Sequence, residues 1–156
     1  MTEHGKYYIY DDDDLRDLLN KVKERIGHLQ PAWEVIGEIV HTSILRNFED
    51  GGRPKAWGDL KDSTKKQRAK QKKWPGQILV MKGVRDGLLG SISYDAMPEK
   101  LVLVANKKYA AIQHFGGMAG KGRKVKIPAR PYMMIQDEDW AEIKAALNDF
   151  IIEGRL

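Results

Sequence analysis

The chain has 156 residues, 42% of them hydrophobic and 31% charged, which suits one soluble domain large enough to bury a real core. It contains no cysteine, which excludes a disulfide framework, a thiolate metal site and a cysteine nucleophile, and which fits a reducing cytoplasm. The net charge of +5 is segregated: residues 1–50 carry 6 basic and 11 acidic side chains, residues 61–73 carry 7 and 1, residues 107–133 carry 7 and none, and residues 134–156 carry 2 and 6.

The first residues, MTEHGKYYIYDDDD, are polar and acidic with no apolar core, so they do not read as a secretion signal. From 12 to 29, Leu15, Leu18, Leu19, Val22, Ile26 and Leu29 recur at helical spacing behind aspartates that favour a helix start. Pro31 suits the first turn of a second helix, whose buried face is expected to be Trp33, Ile36, Val40, Ile44 and Phe48 and which ends at Gly51 and Gly52. Residues 51–76 read as a long basic loop or arm, anchored by Trp57 and Leu60. Within it KDSTKKQRAKQKK has good helix formers but almost no apolar side.

A β region follows. Residues 88–97 alternate at Ile92 and Tyr94, a turn falls at 97–100, and LVLVA at 101–105 predicts a well-buried strand. YAAIQHF at 109–115 reads as a short turn or helix. GGMAGKG at 116–122 has four glycines and is expected to be irregular, because ordering glycine costs the most entropy. KVKIP at 124–128 predicts a third short strand. The last helix should run from about Asp137 to Ile152, with Trp140, Ile143, Leu147, Phe150 and Ile151 buried and Asp137, Glu138 and Asp139 in its first turn. No apolar run approaches the ~20 residues that a membrane span needs. The fold class is therefore α+β: N-terminal helices, a small antiparallel sheet with long mobile loops, and a C-terminal helix packed on the sheet. One domain should span 1–156, with a helical part at 1–50, the basic arm at 51–76 and the sheet and last helix at 77–156.

No grouping of residues offers catalysis. His4, His28, His41 and His114 have no ligand spacing among them, and His114 beside the glycine segment suits a structural hydrogen bond. Asp11–Asp14 are consecutive and diverge on a helix, so they suit a helix start better than a metal. GGMAGKG has a passing likeness to a phosphate loop. Such a loop needs glycine where Phe115 stands and Ser or Thr where Gly122 stands. Ser91 and Ser93 lack a nucleophile's context. No enzyme activity, metal or cofactor is expected.

The basic run at 61–73 (Lys65, Lys66, Arg68, Lys70, Lys72, Lys73) and the later group Lys121, Arg123 and Lys124 form the expected basic surface. Opposed charge poles suit head-to-tail contact between identical subunits, a surface facing nucleic acid, or simple solvation. Trp57 and Trp74 flank the first run and do not interleave with it, a weak signal for single-stranded nucleic acid.

The most specific stretch is V-x-V-x-N-x-x-YA-x-x-x-HFGG followed by IPARPY, that is Val102, Val104, Asn106, Tyr109, Ala110, His114, Phe115, Gly116 and Gly117, then Ile127 to Tyr132. Upstream, Phe48, Trp57, Leu60, Thr64, Ile78, Leu79, Gly87, Leu88, Ser91 and Ile92 stand in the same order. In these residues the chain resembles the phage virion morphogenesis family, the tail completion proteins of Mu-like and P2-like phages. The resemblance runs over about 45–152 and leaves the first 30 residues outside it. It departs at Met133 and Met134, where the family often has Leu-Gly.

The resemblance implies a structural role in completing the tail or joining it to the head. Its partners would be other tail or neck proteins and further copies of the chain, for instance in a ring. Transient contact with DNA would be the secondary use of the basic segments, with no membrane involved. The place of action would be the host cytoplasm during assembly and then the virion. The assembly candidates are Tyr109, His114, Phe115, Gly116, Gly117, Pro128, Arg130, Pro131 and Tyr132. Core filling is the plainer reading of at least one of Tyr109 and Phe115. Pro128 and Pro131 restrict the backbone around Arg130, which suits a fixed carboxylate or carbonyl partner in its own or a neighbouring subunit.

Overall fold

The computed structural model describes residues 13–155. His4, Asp11 and Asp12, and the N-terminal segment read against a secretion signal, lie outside the described residues. In chain order the elements are α1 (Asp13–Gly27), α2 (Gln30–Glu49), α3 (Asp62–Lys70), the single turn α4 (Gly83–Asp86), β1 (Ile92–Met97), β2 (Lys100–Ala105), α5 (Ala110–Phe115), β3 (Gly117–Ala119), β4 (Val125–Ile127) and α6 (Asp137–Asn148), which runs on into a wide turn at Asp149–Glu153. The fold is α+β, with helices at the N-terminal end, small antiparallel sheets and a C-terminal helix near the larger of them.

Helix α2 is the centre. Ile36, Val40, Ile44 and Phe48 recur every fourth residue, so they share one face, and all four are buried; Trp33 is half-buried. The β1–β2 hairpin lies against α2, and so does α6. Gly37 lets the hairpin approach closely: a Cβ there would overlap the Tyr94 ring, whose hydroxyl donates to Glu38 Oε2 at 3.0 Å. Leu88, Leu89, Ile92, Tyr132 and Ile143 complete the core around Phe48. Strand pairing runs from Ile92↔Ala105 to Met97↔Lys100, so the turn is the two residues Pro98 and Glu99.

Several expectations need correction. LVLVA is half-buried and Val104 is exposed, because only one face of the two-stranded sheet has a helix to cover it. Residues 124–128 do not join that sheet. Gly117–Ala119, expected to be irregular, pairs with Val125–Ile127 in a second hairpin, since the backbone ladder needs no side chains and Gly120 and Gly122 take two of the three positive φ angles at the turn, Arg123 the third. Trp140 is 48% exposed; Ile143 and Phe150 carry the contact of the last helix instead. The arm at 51–76 needs no such correction: it contains α3 and is held at its expected anchor Trp57, which is buried edge-on to Phe48 with ring centroids 5.7 Å apart. Helix α1 buries none of its residues; near its C-terminal end, Arg25 Nη1 donates to the Ile151 and Ile152 carbonyls at 2.9 and 2.8 Å.

Candidate functional site

The two sequence motifs meet in space. Arg130 N–H donates to Gln113 O at 2.9 Å, so the PARPY segment runs alongside α5. Tyr132 is 1% exposed; its hydroxyl donates to Ala110 O at 3.1 Å and its ring lies edge-on to His114, with centroids 5.1 Å apart. The Tyr132 and Met133 amides point at His114 Nδ1, at 3.4 and 3.5 Å, which is the structural role expected of this histidine. A nitrogen that accepts from two amides must be unprotonated, and burial accordingly pushes the His114 pKa below the usual histidine value. Trp57 Nε1 donates to Pro131 O at 3.1 Å and ties the motif to the long connection. Gly116, at φ 73°, has Ala129 N only 2.7 Å from where a Cβ would stand, so this crossing of the two motifs admits no side chain.

This frame leaves other motif residues outside. Phe115 is 77% exposed, with its ring edge-on to His114 at 4.6 Å. Tyr109 is 40% exposed, so neither aromatic fills the core as expected of at least one. Pro128 and Gly117 are exposed and Pro131 is half-buried. Met118 and Val125 are also exposed; Val125 stands opposite Ala119, so the two project from opposite faces of the second hairpin. The nine candidates thus divide into a buried frame, centred on Arg130 and Tyr132, and an exposed tip, centred on Phe115.

Arg130 is 6% exposed and has carbonyl partners in its own chain: Nη2 lies 3.1 Å from Gly58 O and 3.4 Å from Asp59 O. The two-pronged carboxylate contact is not made, and its Nε is buried without an acceptor. Arg68, placed on the basic surface from the sequence, is 5% exposed. It points inward because α3 turns that side toward the chain, and Nη1 reaches Gln77 O at 2.8 Å. Burial lowers the proton affinity of Arg68; for Arg130 burial acts first and the nearby Arg68 adds to it. Lys65 is partly withdrawn as well, bonded to Asp59 and 5.5 Å above the Trp74 ring. Lys66, Lys70, Lys72, Lys73, Lys121, Arg123 and Lys124 remain exposed.

A polar network missed by sequence reasoning braces the frame from behind. Asn47, 0% exposed, donates to Tyr132 O at 2.9 Å and Met134 O at 3.3 Å, and accepts from Arg53 Nε at 2.9 Å. Arg53 also donates to Ser43 O and Oγ, at 2.9 and 2.6 Å, and Ser43 Oγ donates to Asp139 Oδ2 at 2.5 Å. The same Asp139 oxygen accepts the Gln136 amide at 2.6 Å and caps α6. The signal was present: Ser43 and Asn47 lie four apart inside the apolar stripe of α2, where polar residues need partners.

Among the described residues no group of three or more histidines and carboxylates could hold a metal ion, and no helix is long and apolar enough to cross a membrane. The class of protein is settled by kinship: the sequence model of the phage virion morphogenesis family matches residues 10–151, and the chain belongs to that family. The match takes in α1, so the helical N-terminal part, left out of the resemblance above, lies within it. A relative is Mu-like prophage FluMu G protein 2 of Haemophilus influenzae, 33% identical over 137 residues and covering 88% of each chain. No solved structure matches the chain. The protein is a structural component of phage morphogenesis.

Proposed function

We propose that the chain completes the tail or joins it to the head, as a self-associating subunit that presents the Phe115 tip to its partners. The observation that carries this reading is the exposure of Phe115 on a rigid mount. Phe115 is 77% exposed, and the ring it lies edge-on to, His114, is itself held by the buried Tyr132, next to the tight crossing at Gly116. Interfaces are built from aromatic anchors of this kind held in place before contact. Tail or neck proteins and further copies of the chain, arranged in a ring, are the partners; assembly takes place in the host cytoplasm and the product is the virion. Segregated charge, with acidic ends and a basic middle, would orient copies head to tail.

The test is electron microscopy of particles produced without the protein. Heads separate from tails, or tails of irregular ending, are expected, and wild-type protein supplied in trans should restore joined particles. Complete particles in its absence would refute the role. The exposed cations of α3 and of the turn between β3 and β4 leave a contact with DNA as the second reading. It requires binding by the purified protein that falls steeply with salt.

A further inference from the structure

A groove of ≈ 660 Å³ opens between α3, the segment before α4, and the second hairpin. Its walls include Leu60, Leu79, Tyr109 and Val125, and its floor carries Arg68 and Arg130. Both arginines are more than nine-tenths buried, and the Nε of each has no acceptor. The acidic side chain on the groove, Asp59, is already bonded to Lys65. The two buried guanidinium groups make the groove electropositive from beneath, and the exposed Lys61, Lys73, Lys82 and Lys126 on its rim offer accessible cations to carboxylates; the apolar walls favour a protein segment over a phosphate backbone.

Elsewhere on the molecule α1 has the complementary character. Leu15, Leu18, Leu19 and Ile26 are exposed, and Asp13, Asp14 and Asp17 accompany the leucines in its first half. Within the subunit α1 is tied down near its C-terminal end by Arg25, and its leucine-bearing first half buries nothing, so an apolar stripe of this kind suits a covering surface. We propose that α1 of one copy docks in this groove of the next, its leucines against the apolar walls and its aspartates toward the rim lysines Lys61, Lys73 and Lys126. The groove volume suits a row of side chains from one helix face rather than a whole helix. Because α1 and the groove are different surfaces, the contact is head-to-tail and propagates until a ring closes. The proposal rests on the self-association put forward above and names the elements that make it.

The absence of cysteine makes the test direct. Full-length Leu18→Cys protein is mixed with full-length Val125→Cys protein and treated with a short bismaleimide. A cross-linked pair of unlike copies is expected. Glu99→Cys, exposed at the tip of the first hairpin, replaces Val125→Cys as the control and should give only background. Adding Asp14→Lys and Asp17→Lys to the Leu18→Cys copy should cut the yield by about tenfold, the scale of losing a close charge pair at an interface. Both aspartates are exposed, but Asp14 stands in the first turn of α1, where its charge favours the helix, so helix content is read by circular dichroism in the same variant and the loss of yield counts only with the helix retained.

No Leu18–Val125 product, a product no stronger than the Glu99 control, or a product indifferent to the aspartate reversals would each overturn the proposal. So would a groove that instead takes a short DNA duplex, with binding lost in Arg68→Gln and Arg130→Gln and no cross-link formed. Particle completion is scored separately. If Leu15→Ser with Leu18→Ser completes particles normally, the α1 contact fails while the morphogenesis role stands.

Discussion

Replacing Asn47 by alanine should cost more stability than its size implies. The side chain has no exposure and serves four partners: the Tyr132 and Met134 carbonyls, Arg53 Nε at 2.9 Å and Gln136 Nε2 at 3.5 Å. Alanine removes all four, and the methyl that remains can neither donate nor accept. The two shortest bonds decide the magnitude. Leaving a buried donor or acceptor unmet costs about 1–3 kcal/mol each, so Tyr132 O and Arg53 Nε together give about 2–6 kcal/mol. Arg53 Nε keeps a weak neighbour in Asp50 Oδ2 at 3.8 Å, which favours the lower half of that range. For a chain of this size the melting temperature should fall by roughly 5–15 °C. Glu138→Ala is the control. It removes the exposed end of the same network, the 3.0 Å pair with Arg53 Nη1, and should cost under about 1 kcal/mol. Thermal denaturation by circular dichroism reads both. If Asn47→Ala melts within about 2 °C of wild type, the network does not brace the motif frame and the reasoning is wrong.

Gly37→Ala should lower stability by about 1–3 kcal/mol, because overlap with the Tyr94 ring outweighs the helix propensity gained; a variant more stable than wild type in urea would contradict the close approach. His114 is neutral in the folded chain, and its lowered pKa means that the unfolded chain takes up the proton first as pH falls. Its contribution is therefore whole above about pH 6.5, the unfolded value, and is lost as pH drops toward the folded one. His114→Gln should flatten that acid loss in urea titrations at pH 7 and pH 5, and equal slopes for the two proteins would refute it. Self-association should weaken as salt rises, and weaken further when the exposed Lys66, Lys70, Lys72 and Lys73 become glutamate; sedimentation that ignores both changes would leave the charge poles without a part in assembly.

The sequence displayed what is periodic. The stripe of α2 was legible because Ile36, Val40, Ile44 and Phe48 repeat at helical spacing, and the first hairpin because Ile92 and Tyr94 alternate before a Pro98-Glu99 turn. The motif pair was legible through kinship, and the structure shows where its two halves meet: Gly116 lies against the Ala129 backbone, and position 116 admits nothing larger than glycine. Other features left no periodic trace. The second hairpin is held by backbone pairing through glycines. The inward turn of Arg68 is hidden in a run of like charges, where every position reads as solvated. Trp140 fits the stripe of α6 by spacing, but no element comes close enough to cover it fully. The bracing network depends on Asp139 and Arg53 reaching Ser43 from distant parts of the chain, a convergence that local pattern does not encode.

The central claim is that the frame around Tyr132 folds the protein while the exposed Phe115 serves assembly. Phe115→Asp separates the two most directly, with particle completion scored by complementation and folding by melting temperature in the same variant. The expected outcome is a protein that melts like wild type and leaves particles unjoined or unfinished. Normal particle yield from a folded Phe115→Asp protein would contradict it.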